Sequence, residues 1–561
     1  MTDQPKPLSR NEEIKARSRH LRGTIAEGLD DAVTGALAED DTQLTKFHGI
    51  YQQDDRDLRA ERMKTRMEKA FSFMARLRVP GGVLTPAQFL AMARLATERG
   101  NATLRLTTRQ TIQFHGIIKS NLRPAIRAIH AAMLDSIAAC GDVNRNVIAT
   151  PNPASAIHGA VLATARALSE HLLPRSRAWH DLFIDGAPAP PVAEAEPILG
   201  ATYLPRKFKI ALAIPPCNDV DVFAHELGLI AVTEGDRLAG FNVVVGGGMG
   251  MPHGEPDTFP RTGDLLGFCT PDQAIAVAEQ VVTVQRDWGD RADRKHARLK
   301  YTIEHHGLAA FRAELERRLG FALAPARGFA FTRSGDPDGW FRGADGRWNF
   351  LLFVENGRID GALLGTLRQV ADAHDGRFIL TPNQNLLIAD VAPERRAAIA
   401  ALLDAPAPSA LRRNAMACVA LPTCGLALAE SERALPGLID VLEADLAAAG
   451  LGAEDITIRM TGCPNGCARP YLAEIGLVGV RPGIYNLYLG GAFDGTRLSK
   501  LWRREIGLDA TRAALRPLFA AYAADRAAGE HFSDFAIRTG VIAATVAGNR
   551  FHADLPAELA A

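Results

Sequence analysis

Four cysteines stand in two close pairs, Cys418 and Cys424 in MACVALPTCG, then Cys463 and Cys467 in TGCPNGCARP. Thiolates grouped in this way hold either a zinc ion or an iron–sulfur cluster. The commonest zinc spacing leaves two to four residues between cysteines; the first pair has five, which favours a cluster and leaves zinc open. Gly462, Pro464 and Gly466 predict a tight turn whose backbone N–H groups point at sulfur and offset the charge of a cluster. A radical-SAM site is excluded, because no third cysteine follows Cys467 at short spacing. A lone cysteine would be read as a small buried hydrophobe; two pairs flanked by TGCPNGC would not.

The second reactive set is cationic. Alternation over 104–115 predicts one strand with Arg105, Thr107, Arg109, Thr111, Gln113 and His115 on one face, and Leu104, Leu106, Ile112 and Phe114 on the other. A solvated sheet face is the ordinary reading of such a pattern, but two arginines, a glutamine and a histidine also make a row suited to carboxylates. YLPRKFKIALAIPP predicts another strand, with Lys207 and Lys209 on one face and Phe208 on the other. Neighbouring lysines lower each other's pKa, which suits proton donation; an edge strand blunted by lysine is the plainer alternative. Arg76, ahead of RVPGG, and Arg145, in DVNRNVIATPNP, are weak signals singly. The glycines of FNVVVGGGMG lead into MPHGEPDTFPRT, not into a helix, so dinucleotide binding is excluded there.

These residues need a frame, and 561 residues are too many for one core. Hydrophobic content of 47% and 64 basic against 64 acidic residues describe a globular protein with no global field toward nucleic acid or anionic membranes. The N-terminus has no signal-like apolar run, nothing is long and apolar enough to span a bilayer, and seven cysteines are too few for a disulfide framework. A cytoplasmic enzyme is expected.

Residues 1–70 predict an N-terminal arm with helical pieces rather than a core-forming unit. Beyond it an internal repeat runs through the chain. LRLTTRQTIQF (104–114) is echoed by FILTPNQNLLI (378–388), and RNVIAT (145–150) by RNAMAC (413–418). KIALAIPPCND (209–219) is echoed by DITIRMTGCPN (455–465), which sets Cys217 over Cys463. ELGLIAV (226–232) matches EIGLVGV (474–480), and FNVVVGGG (241–248) matches YNLYLGG (485–491). The order is kept throughout, so an α+β fold of two duplicated halves with a pseudo-twofold relation is expected, its site between them. Only the second copy carries all four cysteines. The first keeps Arg105 and Arg109, where the second has Ile379 and Asn383.

With these residues assembled, the chain resembles the hemoprotein (beta) subunits of assimilatory sulfite reductase, within the siroheme and 4Fe-4S nitrite and sulfite reductase family. The likeness runs through LRGTIAE, FHGIYQQDDRD, RLTTRQTIQFHGI, NRNVIAT, EPILGATYLPRKFK, VVTVQRDWGDRADRK, MACVALPTC and MTGCPNGC. The resemblance implies a 4Fe-4S cluster on Cys418, Cys424, Cys463 and Cys467, with Cys467 also on the siroheme iron. It implies siroheme contacts from Arg105, Arg109, Gln113, His115, Arg298 and Asn465, and sulfite binding by Arg76, Arg145, Lys207 and Lys209. Arg298 stands where relatives carry lysine, which is not an equivalent donor. The implied reaction is six-electron reduction of sulfite to sulfide, fed by an NADPH-dependent FAD/FMN flavoprotein (alpha) subunit or, alternatively, by ferredoxin. The implied architecture has three domains around a central site. A parachute domain joins ferredoxin-like halves 71–137 and 340–404, a siroheme and substrate domain covers 138–339, and a cluster domain covers 405–561. Siroheme nitrite reductase, with the same cofactors and fold, is the nearest rival; Lys209 discriminates against it, since nitrite-reducing relatives typically carry Asn there. A zinc-stapled binding protein is the rival from another class.

Overall fold

A computed structural model describes residues 6–561 apart from 177, 179–182, 185–186, 189–194, 404–405, 557–558 and 560–561. The domain boundary expected at 404/405 therefore lies outside the described residues. Its frame is four five-stranded sheets. Sheet 1 runs Ile50–Asp54, Phe71–Arg76, Ile112–Ile117, Leu104–Leu106 and Arg358–Ile359. Sheet 2 runs Trp340–Arg342, Trp348–Leu352, Leu386–Val391, Arg377–Leu380 and Val83–Leu84. The last strand of each comes from the other copy: Arg358 pairs with Arg105, and Ile379 pairs with Val83. Neither sheet is complete without both halves, and they share a core in which the rings of Phe89 and Phe378 lie 5.0 Å apart.

Sheets 3 and 4 repeat one another. Sheet 3 runs Ile148–Ala149, Ile210–Ala213, Leu227–Glu234, Arg237–Val245 and Asp264–Cys269; sheet 4 runs Ala415–Ala417, Ile458–Thr461, Ile475–Arg481, Ile484–Leu489 and Lys500–Ile506. In both, the first three strands are parallel and the rest antiparallel. The parallel strands are short apolar runs because helices cover them; Val281 and Val282 of the helix Ala274–Trp288 pack with Leu212, Leu229 and Val243.

The fold corrects four expectations. Residues 104–115 form a hairpin, not one strand: Thr107 N–H donates to Thr111 O at 3.0 Å and Gln110 takes φ 49°. The chain reverses there because Thr107 Oγ1 accepts from Arg109 N–H at 3.2 Å, a local turn that competes with the ladder. Arg105 and Gln113 still meet, because they are cross-strand partners. Cys217 does not stand over Cys463. Leu227 pairs with Ile210 as Ile475 pairs with Ile458, and the fifth residue beyond Ile458 is Cys463 whereas the fifth beyond Ile210 is Pro215. Strand register, which the cysteine match overrode, sets the equivalence. Lys207 and Lys209 precede a strand that begins at Ile210 and lies inside sheet 3, so they blunt no edge. Finally, the first 70 residues are not a detached arm: Ile50–Asp54 is a strand of sheet 1, and Ile14, Leu21, Leu44 and Phe47 sit in a core with sheet 3. No helix among the described residues is long and apolar enough to cross a membrane.

Candidate cofactor and anion site

The cysteine quartet forms at the carboxyl ends of parallel strands, where ligands of open sheets collect. Cys418 follows Ala415–Ala417, while Cys463 and Cys467 follow Ile458–Thr461. Gly462 ties the two loops together. Its carbonyl accepts from Leu428 N–H at 2.7 Å and Ala429 N–H at 3.1 Å, and its own N–H donates to Cys418 Sγ at 3.3 Å. Asn465 Nδ2 donates to Cys463 Sγ at 3.5 Å, and Thr108 Oγ1, on the hairpin turn, donates to Cys467 O at 3.1 Å. Burial, then the Cys467 sulfur, pushes up the thiols of Cys418 and Cys424, and that of Cys463 to about 11. The thiols are thus within electrostatic reach of each other. Yet among the described residues no three His, Cys, Asp or Glu side chains converge on a place for one metal ion.

All four cysteines open on a cavity of about 430 Å³. Its wall carries Arg76, Arg105, Arg109, Arg145, Lys207 and Lys209, as the sequence suggested, with Gln113, His115 and Asn465. Lys15, Lys46, Arg206 and Arg294 join them, and among the described residues the one carboxylate of the wall is Asp142. Ten basic side chains face one carboxylate in a chain whose formal net charge is zero. Such a recess is built for a multiply anionic occupant.

The donors are held from several directions. Arg105 Nη2 donates to Ala417 O at 2.9 Å, and its Nε lies 3.1 Å from Glu432, which also pairs with Arg358. Arg109 spans to Asn146 O, to Ile210 O at 3.3 Å and to the His225 ring at 3.4 Å. Burial pulls Arg105 down to about 10 and Arg109 to about 9, so both remain cationic near neutrality. Arg76 donates to Cys140 Sγ at 3.2 Å and, with the Gln113 amide oxygen turned toward it, to Gln113 at 3.0 Å. Arg145 is fixed by two bonds of 3.1 Å to Gly141 O. Burial lowers Lys207 and Lys209 well below the usual lysine range; Arg206 is the next cause for Lys207, and Lys207 itself for Lys209.

Arg105 Nη1, Arg109 Nε and His115 Nε2 are buried with no hydrogen-bond partner. An unpaired buried polar group costs roughly 1–3 kcal/mol, more when charged, so the two guanidinium nitrogens fit a ligand that brings acceptors, while His115 Nε2, with Nδ1–H directed at Gln53 Oε1, is left as an acceptor. A ring bearing carboxylates meets that need; a zinc staple does not. Arg298 stands apart from the wall. It pairs with Glu226 Oε1, Nε to oxygen 2.7 Å, and packs where a Gly248 Cβ would lie 2.7 Å away. From there it acts on Lys207 and Lys209 through its field alone. Lys46, Tyr51 and Gln53 were not foreseen. They lie in or beside FHGIYQQDDRD, a motif noticed only for its likeness, and reach the cavity because strand Ile50–Asp54 is docked. Arg206, beside Lys207 in LPRKFK, could have been read from its place in that basic run.

A duplicated α+β frame closed on a cysteine quartet and a cationic recess defines a protein that binds redox cofactors at the junction of its two copies. Models of the nitrite/sulfite reductase ferredoxin-like half domain match residues 66–132 and 342–406, and the nitrite and sulphite reductase 4Fe-4S domain matches 163–323. That last match lies on the first copy, whereas the quartet lies in the second. The sulfite reductase (NADPH) hemoprotein beta-component of Methylobacterium nodulans is 57% identical over 97% of this chain and 93% of its own length. That of Myxococcus xanthus is 57% identical over 96% and 98%. The solved structure of Mycobacterium tuberculosis NirA protein covers 96% of this chain and 97% of its own, with TM-score 0.77 at 25% identity. The chain belongs to the nitrite and sulfite reductase family, among proteins named sulfite reductase (NADPH) hemoprotein beta-component.

Proposed function

We propose that this chain reduces sulfite to sulfide as the heme-bearing component of an assimilatory sulfite reductase. The carrying observation is the contact between the quartet and a recess lined, among the described residues, by ten basic side chains and one carboxylate. In this reading Cys418, Cys424, Cys463 and Cys467 hold a 4Fe-4S cluster, and Cys467 is shared with siroheme. Arg105, Arg109, Gln113, His115 and Asn465 face siroheme and its carboxylates; Arg298 serves at one remove. Bound there, siroheme and the cluster supply the six-electron transfer chemistry.

The chain's own part is charge and protons. SO₃²⁻, six electrons and six protons give S²⁻ and three waters. Arg76 and Arg145 cannot release protons, so they act as fixed charges that hold the dianion and stabilise negative charge as S–O bonds break. Lys207 and Lys209, depressed by burial and neighbouring cations, give up protons readily once an anion has charged them. Burial keeps His115 well below the usual histidine range, hence neutral, with Nδ1 3.3 Å from Gln53 Oε1.

The reading extends to a cytoplasmic protein whose N-terminal segment (1–70) packs onto sheets 1 and 3, with a parachute domain of two ferredoxin-like halves (71–137, 340–404), a siroheme and substrate domain (138–339) and a cluster domain (405–561). An NADPH-linked flavoprotein component is its electron donor, with ferredoxin the alternative. Purified protein should show siroheme absorption in the Soret and red regions that shifts with sulfite. It should reduce sulfite with an artificial low-potential donor at higher kcat/KM than nitrite. Zinc without iron in metal analysis refutes the cluster; preference for nitrite refutes the substrate.

A further inference from the structure

Every turnover needs six protons inside a recess whose wall has little to carry them. Guanidinium groups do not release protons. Although burial opposes it, Arg294 and then Lys15 hold the Asp142 carboxyl well below the usual range, with Arg294 bonds of 2.7 and 3.0 Å, so Asp142 stays ionised. Burial, with Cys140 next, pushes the Tyr51 phenol up and keeps it protonated. Lys15 is tied to Glu12 and to Leu204 O. Lys46 is different. It lines the cavity from the segment Thr45–His48, half-buried like Lys207 and Lys209, and among the described residues its hydrogen-bond acceptor is the neutral Gln43 Oε1 at 2.6 Å.

Resting on the function proposed above, we propose that Lys46 is a proton-relay residue: its ammonium gives a proton, through water admitted to the cavity, to Lys207 and Lys209 and is recharged from solvent. Each passage breaks one N–H bond on Lys46 and forms one on Lys207 or Lys209, with no electron moved. Burial, then Arg294, with Arg206 and Arg145 adding to it and Asp142 opposing, lowers Lys46 to about 8, near the pH at which a donor serves best. Of the other facing groups, Tyr51, with its ring 5.7 Å from Nζ, stays protonated there, and Lys15 is itself lowered by burial but tied to Glu12.

The test uses the cofactor-loaded full chain with reduced methyl viologen, comparing the parent with Lys46→Met and Lys46→Arg at matched siroheme absorbance. The parent's kcat should fall as pH rises through about 8, where Lys46 loses its proton. Both variants should lose roughly tenfold or more in kcat at pH 7, the small end of general-acid effects. Both should also lack that basic limb, keep KM within about threefold, and recover with added methylammonium buffer. Full kcat in Lys46→Arg would show that charge alone matters and overturn the relay, as would an unchanged pH profile in Lys46→Met. A parent that turns over no sulfite would instead overturn the function itself.

Discussion

Gly462 offers a test in which geometry sets both sign and size. A Cβ at this position would lie 2.5 Å from Ala429 O and 2.6 Å from Ala420 Cβ, so in Gly462→Ala one of the cysteine loops must move. Overpacking that forces backbone movement costs about 1–3 kcal/mol. The two amides donating to Gly462 O and its own N–H on Cys418 Sγ are weakened at the same time, at roughly 0.5–1.5 kcal/mol for each bond lost. With one of those bonds lost, a total of about 1.5–4.5 kcal/mol follows, about 3–18 °C in unfolding midpoint for a domain of this size. Iron content should fall with it, because each of the two loops carries cysteines of the quartet. Gly437 is the control. It lies in helix Leu435–Ala448 with nothing within 4 Å of an added Cβ, so Gly437→Ala should stabilise by about 0.5–1 kcal/mol and leave iron untouched. Paired thermal melts and iron assays decide it. If Gly462→Ala keeps full iron and melts with the parent, the link between the loops is not what holds the quartet.

Cys467→Ser should lose cluster and heme absorption together, and retention of both spectra would contradict a shared sulfur. Arg145→Ala should raise KM for sulfite roughly 10- to 100-fold, the loss of one charged contact, while siroheme content stays near the parent's; an unchanged KM excludes contact with the substrate. Lys209→Asn should depress sulfite turnover with cofactors retained, read from kcat and the Soret band, whereas loss of siroheme would make Lys209 structural.

What the sequence disclosed follows from which interactions are local. Alternation named Arg105, Gln113 and His115 correctly because cross-strand register in a hairpin preserves the face that a single strand would give. It missed the turn, since Thr107 and Gln110 carry no glycine or proline to announce it; Gln110 adopts φ 49° under tertiary hold, its amide bonded to Ala149 O and Leu380 O. The equivalence of Cys217 with Cys463 failed for the opposite reason: a shared residue type looked like homology, and only strand register exposes the slip. Lys46 and Tyr51 were hidden because their place depends on strand Ile50–Asp54 pairing with Phe71–Arg76, which pattern alone did not suggest.

Duplication explains why one cavity rather than two collects the charge. Hairpin 104–117 and its counterpart 377–391 share fold and turn, with Gln110 and Gln384 both at positive φ, and their polar faces differ only in side chains. Ile379 is buried against Leu351 and Leu387, and Asn383 bonds to Asp336 at 2.9 Å, so the two positions that replace the arginines are satisfied within the protein, although Gln384 Oε1 beside them is not. Arg105 and Arg109 leave buried atoms unpaired. That cost is tolerable only where a ligand supplies the acceptors, and the quartet, lying in the other copy, fixes where the ligand must sit. Because Arg358–Ile359 and Val83–Leu84 are exchanged between the copies, neither half expressed alone completes its sheet. Separating donor face from cysteines therefore leaves sheets 1 and 2 each short of an edge strand.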